Sequence, residues 1–306
     1  VNGNRNLEKY ILQTIIYYDI LNFPLTSFEL WKYLIAGEGC TLGEIIEALE
    51  SEELKGKVEE FRGFYFLKNR KDLVARRIQN DKNSGVKFEI AEKAARWLRF
   101  VPFVRMIAVT GTLAMKNCEK NSDVDFFVVL ERGRIFTGRL LATAMVHFLG
   151  RRRYGNRIKN RICLNYFVAT DGLEIQRKDL FAANEYSFVY PIFGWDVFQE
   201  FCKANFEWIR KFKPNREIPE LEPARYFVKH GRASRVVQNS LEGLINLFGG
   251  DRIEAWLKAK QIARIKRNPL TQKPDAYIEY TDQNLIFLPE PQGGRIGEEW
   301  QRRIKS

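Results

Sequence analysis

Histidine is nearly absent from this chain, cysteine is sparse, and no apolar run is long. Among 306 residues there are two histidines, His147 and His230, and four cysteines. Two histidines leave little material for a histidine-ligated metal or a Ser-His-Asp relay. Cys40, Cys118, Cys163 and Cys202 are far apart and form no Cys-x-x-Cys pair. That argues against a zinc site and against a disulfide framework. No hydrophobic stretch is long enough to cross a bilayer, and the N-terminal VNGNRNLEKY lacks the apolar core of a signal peptide. The expectation is a cytoplasmic protein with no membrane contact.

What is present is a globular composition with a strong basic bias. Hydrophobic residues make up 45% and charged residues 29%, which excludes a disordered chain. The net charge is +12, which points to a polyanionic partner. From Val1 to Gly85 acids and bases nearly cancel, so the surplus lies further along. It peaks between Arg132 and Arg161, where nine basic residues occur without one Asp or Glu. A second basic run covers Arg225 to Arg267.

The first segment reads as helices followed by a hairpin. Leu7, Tyr10, Ile11, Ile15 and Tyr18 recur at helical spacing. Thr26-Ser27 can cap a second helix, FELWKYLIA, and Thr41 a third, LGEIIEALESEEL. KVEEF and FYFL then read as two strands around Arg62-Gly63. Three helices and a hairpin make the winged-helix pattern. Its third helix carries Glu44, Glu47, Glu50, Glu52 and Glu53, which would repel DNA phosphates, so a structural or protein-contact module is favoured over a duplex-DNA binder.

A basic connector, Lys68 to Lys82, leads to Asn83-Ser84-Gly85. Helix and strand then alternate. VRMIAV, DVDFFVVLE and RICLNYFVA read as strands, and Asp171-Gly172 as a hairpin turn into a further strand, LEIQ. Asp179 to Lys211 reads as aromatic-rich helices, and Arg225 to Arg267 as two helices parted at Gly249-Gly250. YIEY and LIFLP in the tail have no assigned place.

The chemistry concentrates in VTGTLAMKNCEKNSDVDFFVVL, Val109 to Leu130. Successive strand side chains alternate, so Asp123 and Asp125 share one face. Neighbouring carboxylates repel each other unless a cation lies between them, and oxygen ligands with an open side suit Mg²⁺ or Mn²⁺. Gly111 permits a tight turn and Thr112 supplies a hydroxyl, so the bend can receive phosphate. An Asp pair beside a phosphate-binding bend fits in-line attack on the α-phosphorus of a nucleoside triphosphate, with pyrophosphate leaving. The plainer alternative is a solvated strand end beside an ordinary turn.

Gly111-Thr112 followed by Ser122-Asp123-Val124-Asp125-Phe126 resembles the G[S/T]…DxD signature of the DNA polymerase beta-like nucleotidyltransferase superfamily, over about Val86 to Leu180. The resemblance implies a mixed sheet backed by helices. It implies triphosphate binding at Gly111, Thr112 and Ser122, and metal binding at Asp123 and Asp125. The superfamily usually has a third carboxylate on a later strand, and Asn165 stands at the matching position here. An amide can ligate through oxygen but cannot accept a proton as a base. Three outcomes stay open: Asn165 completes the site, another acid such as Glu174 or Glu185 enters it, or the protein binds without turning over.

The expected fold class is α+β or α/β: a winged-helix-like unit over 1–83, a nucleotidyltransferase-like mixed sheet with helices over 84–213, and a basic helical region with a tail over 214–306. The expected function is metal-dependent transfer of a nucleoside monophosphate to an acceptor hydroxyl, on RNA or tRNA more than duplex DNA. Arg151, Arg152, Arg153, Arg157, Lys159 and Arg161 are the candidate phosphate contacts, because clustered cations without a counter-anion are costly. The alternatives are a small-molecule or protein acceptor, or a decayed, non-catalytic nucleic-acid-binding protein. Oligomeric state is not legible.

Overall fold

The computed structural model describes residues 2–35 and 37–305. The chain opens with α1 (Asn2–Ile20), α2 (Ser27–Lys32), α3 (Leu42–Leu49) and the single turn α4 (Glu52–Lys55). The hairpin β1 (Val58–Phe61) and β2 (Phe64–Leu67) follows. Thr26 and Thr41 each accept the amide of the glutamate three residues on, and Glu29 and Glu44 return the bond to the threonine amides. These reciprocal caps fix where α2 and α3 begin.

Helix α5 (Asp72–Leu98) runs unbroken through the expected boundary between 83 and 84. Asn83-Ser84-Gly85 is helical. The Ser84 hydroxyl donates to the Asn80 carbonyl inside the helix and accepts the Cys118 amide at 3.1 Å, so the local polar residues are spent on a tertiary contact.

The centre is a six-stranded mixed sheet. Its strands are β3 (Val104–Val109), β4 (Val124–Leu130), β5 (Ile162–Ala169), β6 (Tyr190–Phe193), β7 (Tyr277–Tyr280) and β8 (Asn284–Leu288), in the order β6-β3-β4-β5-β8-β7. Only β4 and β5 pair in parallel, and α7 (Ile135–Phe148) makes their crossover. One face, with Ile107, Val109, Phe126, Val128 and Phe167, packs on α5, α7 and α11 (Gly250–Lys266). The other, with Met106, Ala108, Phe127 and Val129, packs on α8 (Leu180–Ser187) and α9 (Trp195–Arg210). Burial on both sides explains why β4 is apolar without alternation. Glu254 of α11 caps the start of α7, accepting the amides of Phe136 and Thr137 at 2.8 and 2.9 Å.

One expectation is corrected. LEIQ does not return as a strand after Asp171-Gly172. The Asn205 side chain on α9 binds the Ile175 amide and the Leu173 carbonyl at 2.9 and 2.8 Å, which turns Leu173 and Ile175 into the core. The vacated place beside β5 belongs to β8, where Ala169 donates to the Gln283 carbonyl at 2.8 Å. The tail left unplaced by the sequence thus enters the sheet. YIEY and LIFL complete the sheet, and α12 (Gly293–Arg303) lies on α1, with the Trp300 indole donating to the Gln13 carbonyl. Among the described residues no helix is long and apolar enough to cross a membrane.

Candidate metal and nucleotide site

Asp123 and Asp125 stand at the mouth of β4, on the side that faces α8. One ligand atom from each, with the Cys163 sulfur, lies within 4.8 Å of the others. The two acids therefore do face each other. Cys163 enters because it pairs with Asp125 across the parallel strands, and β5 carries one extra residue just beyond, where Phe127 pairs with Tyr166. Asn165, in the bulge, lines the same cavity as Gly111, Asp125 and Glu185.

Acids crowd the bend as well. Gly111 has φ +64°, and a side chain there would start 3.3 Å from an Asp125 carboxylate oxygen and 3.9 Å from one of Glu185. Glycine meets both demands. The Gly111 amide, expected to face phosphate, already donates to Glu185 Oε1 at 2.7 Å. Glu185 comes from α8, so it is the third acid at the site, while Glu174 is exposed and paired with Lys178. Thr112 is exposed, with its hydroxyl 3.4 Å from the Cys118 sulfur.

Burial is the main reason the Asp125 carboxyl is pushed up to about 7, with Asp123 and Glu185 adding to it and Arg153 opposing. Glu185 is raised by burial and lowered by the Gly111 amide. Cys163 is pushed up to about 12 by burial and then by Asp125, so it remains a neutral thiol. A hard divalent ion would take the carboxylates, and the thiol would serve it poorly.

Arg153 supplies the nearest positive charge. Its guanidinium meets Asp123 at 2.5 Å and lies 3.6 Å from the Cys163 sulfur. Of the expected phosphate contacts, it is the one tied to the acids. Arg151, Arg157 and Lys159 are exposed on the loop before β5, and the Arg157 guanidinium lies 5.5 Å from the Tyr154 ring centre. Arg152 is half-buried and bridges Ile162, while Arg161 is half-buried and donates to the Gly150 carbonyl.

The loop from the bend to the aspartates is held by α5. Arg77 donates to the Met115 carbonyl, Asn80 to the Asn117 side chain, and Ser84 accepts from Cys118. Lys87 then donates to the carbonyls of Lys120 and Ser122, at 3.3 and 2.7 Å, and to Asn160 Oδ1 at 2.9 Å. Ser122 thus contributes its carbonyl, which also accepts the Asn160 amide. These four helix residues recur every three or four positions and grip the loop in chain order. Arg77 and Asn80 belong to the basic stretch Lys68 to Lys82, expected only to connect, whereas Ser84 and Lys87 lie beyond it. The signal of this grip was a polar stripe at core spacing.

A cavity of about 250 Å³ opens beside Gly111, Asp125 and Glu185. Asn165, Tyr166, Phe181, Tyr186, Tyr277 and Arg177 contribute to its walls. A larger cleft of about 810 Å³ lies between the N-terminal helices and β6 and includes neither aspartate. Compared with models of protein families, with curated proteins and with solved structures, the chain matches none.

Proposed function

We propose that the protein is a metal-dependent nucleotidyltransferase. The observation that carries this is the convergence of Asp123 and Asp125 beside a glycine bend that a side chain would block. A divalent ion held by the pair would offset their repulsion and the charge developing on the α-phosphate. The acceptor oxygen bonds to the α-phosphorus, the bond to pyrophosphate breaks, and the acceptor proton goes to Glu185. A carboxyl raised by burial suits that role better than an ordinary one. Arg153 leaves Asp123 and turns to the triphosphate, with the exposed Arg151, Arg157 and Lys159 guiding a polyanionic acceptor, RNA more than duplex DNA. The helices α1–α3 and the hairpin β1–β2 fit a winged helix, read as a protein-contact unit because Glu44, Glu47 and Glu50 line its third helix.

The test is incubation with each labelled nucleoside triphosphate, Mg²⁺ or Mn²⁺ and total cellular RNA. Metal-dependent label in RNA is expected. Absence of label from RNA, protein and small molecules alike would overturn the proposal. One observation favours a second acceptor class: the cavity beside Asp125 has aromatic walls and room for one small molecule. Transfer that barely responds to salt would select it over RNA.

Arg153 gives a further expected outcome. Arg153→Ala removes a cation from Asp123, so Mn²⁺ should bind about tenfold more tightly while KM for the triphosphate rises. Unchanged Mn²⁺ affinity in a titration would mean that Arg153 does not compete with the ion.

A further inference from the structure

Helix α10 (Arg232–Leu247) is mounted with its polar side inward. Gln238 donates to the carbonyls of Val101 and Val104 at 2.8 and 2.9 Å. Glu242 takes two bonds from Arg105, both 2.8 Å, and one from the Phe103 amide. Asn246 accepts from Arg134 at 2.9 Å. The apolar residues face out: Val236, Val237, Leu241, Leu244, Leu247 and the following Phe248 are 40% to 79% exposed. An ordinary surface helix does the reverse.

We infer that two copies of this chain associate through this face, α10 against α10, antiparallel about a twofold axis. Val237, Leu241, Leu244 and Phe248 are spaced four, three and four apart, the seam of a helix pair. The seam is self-complementary: about a centre between 242 and 243, Leu241 meets the partner's Leu244 and Val237 the partner's Phe248. The four seam residues expose on the order of 400 Å² of apolar area per copy, so the pair sits at the low end of specific interfaces, that of a weak, concentration-dependent dimer. Charge permits it despite the net +12, because Glu242 is the single charged residue from Val236 to Gly250 and it is turned in to Arg105. A membrane fits less well. Helices that lie on bilayers carry Lys and Arg along a solvated polar side, whereas here that side, Ser234, Gln238, Glu242 and Asn246, is turned to the protein and the two arginines, Arg232 and Arg235, are confined to the first turn.

Sedimentation of the full chain at micromolar concentration should show a two-chain species. Leu241→Asp with Leu244→Asp should weaken it about a hundredfold or more, since each charge is buried twice about the axis. Circular dichroism and melting should stay near the parent values because both side chains are exposed. Leu270→Asp, an exposed apolar position off the seam, should leave the dimer intact. A monomeric parent, a dimer that survives the double substitution, or parent binding to phosphatidylserine vesicles that the double variant loses would each overturn the inference.

Discussion

Replacing Asp125 with asparagine should lower the proposed metal-dependent nucleotide transfer by about a thousandfold or more, roughly 4 kcal/mol of transition-state stabilisation. The same change makes the metal-free protein melt higher at pH 8. The second effect follows from the first residue's setting. Asp125 sits among Asp123 and Glu185 with its carboxyl pushed from 3.8 up to about 7. In the unfolded chain it ionises near its ordinary value. Folding therefore takes up a proton between about pH 4 and pH 7, and stability falls as pH rises through that window. Asparagine cannot ionise and removes the loss. A gain of roughly 1–2 kcal/mol, a few degrees in melting temperature, is expected at pH 8 and none at pH 4. Labelled-nucleotide transfer and melting curves at the two pH values check both parts. Retained activity would take Asp125 out of the mechanism, and a lower melting point at pH 8 would mean that the acids are not in conflict.

Lys87→Met should have the largest effect on stability among single changes near the site. The ammonium is buried and satisfies the Lys120 and Ser122 carbonyls and the Asn160 side chain. Methionine matches the length of the side chain and leaves those oxygens short of a donor, at a cost of about 2–4 kcal/mol. It also frees the loop that leads into Asp123. Mn²⁺ affinity should fall together with the urea midpoint. A lower midpoint with unchanged Mn²⁺ affinity would make Lys87 a support of the fold alone and not a positioning residue.

Local chemistry made several elements readable. Thr26 and Thr41 announce helix starts because their hydroxyls and the glutamates three residues on satisfy free amides reciprocally. Gly249 parts α10 from α11 at φ +85°, as the glycine pair suggested. The facing of Asp123 and Asp125 follows from strand alternation alone. What the sequence hid was long-range. The β5 bulge beside Asp125, where Asn165 lies, is defined only by pairing with β4. The place of β8 beside β5 depends on Asn205 diverting Leu173 and Ile175, contacts about thirty residues apart. The grip of α5 on the site loop was visible as residue types at 77, 80, 84 and 87, yet their partners at 115–122 were not.

The basic run shows the same division. Its cost as a cluster of like charges is plain from composition. That one member, Arg153, is spent on Asp123 while Arg151, Arg157 and Lys159 remain at the surface needs the fold.

The most direct measurement is Mn²⁺ titration followed by electron paramagnetic resonance, with the parent chain, Asp123→Asn and Asp125→Asn side by side. Saturable binding in the parent that disappears in both variants is the expected result. A parent that leaves Mn²⁺ free in solution, or variants that bind it as tightly as the parent, would contradict the joint hold of these two carboxylates on a divalent ion.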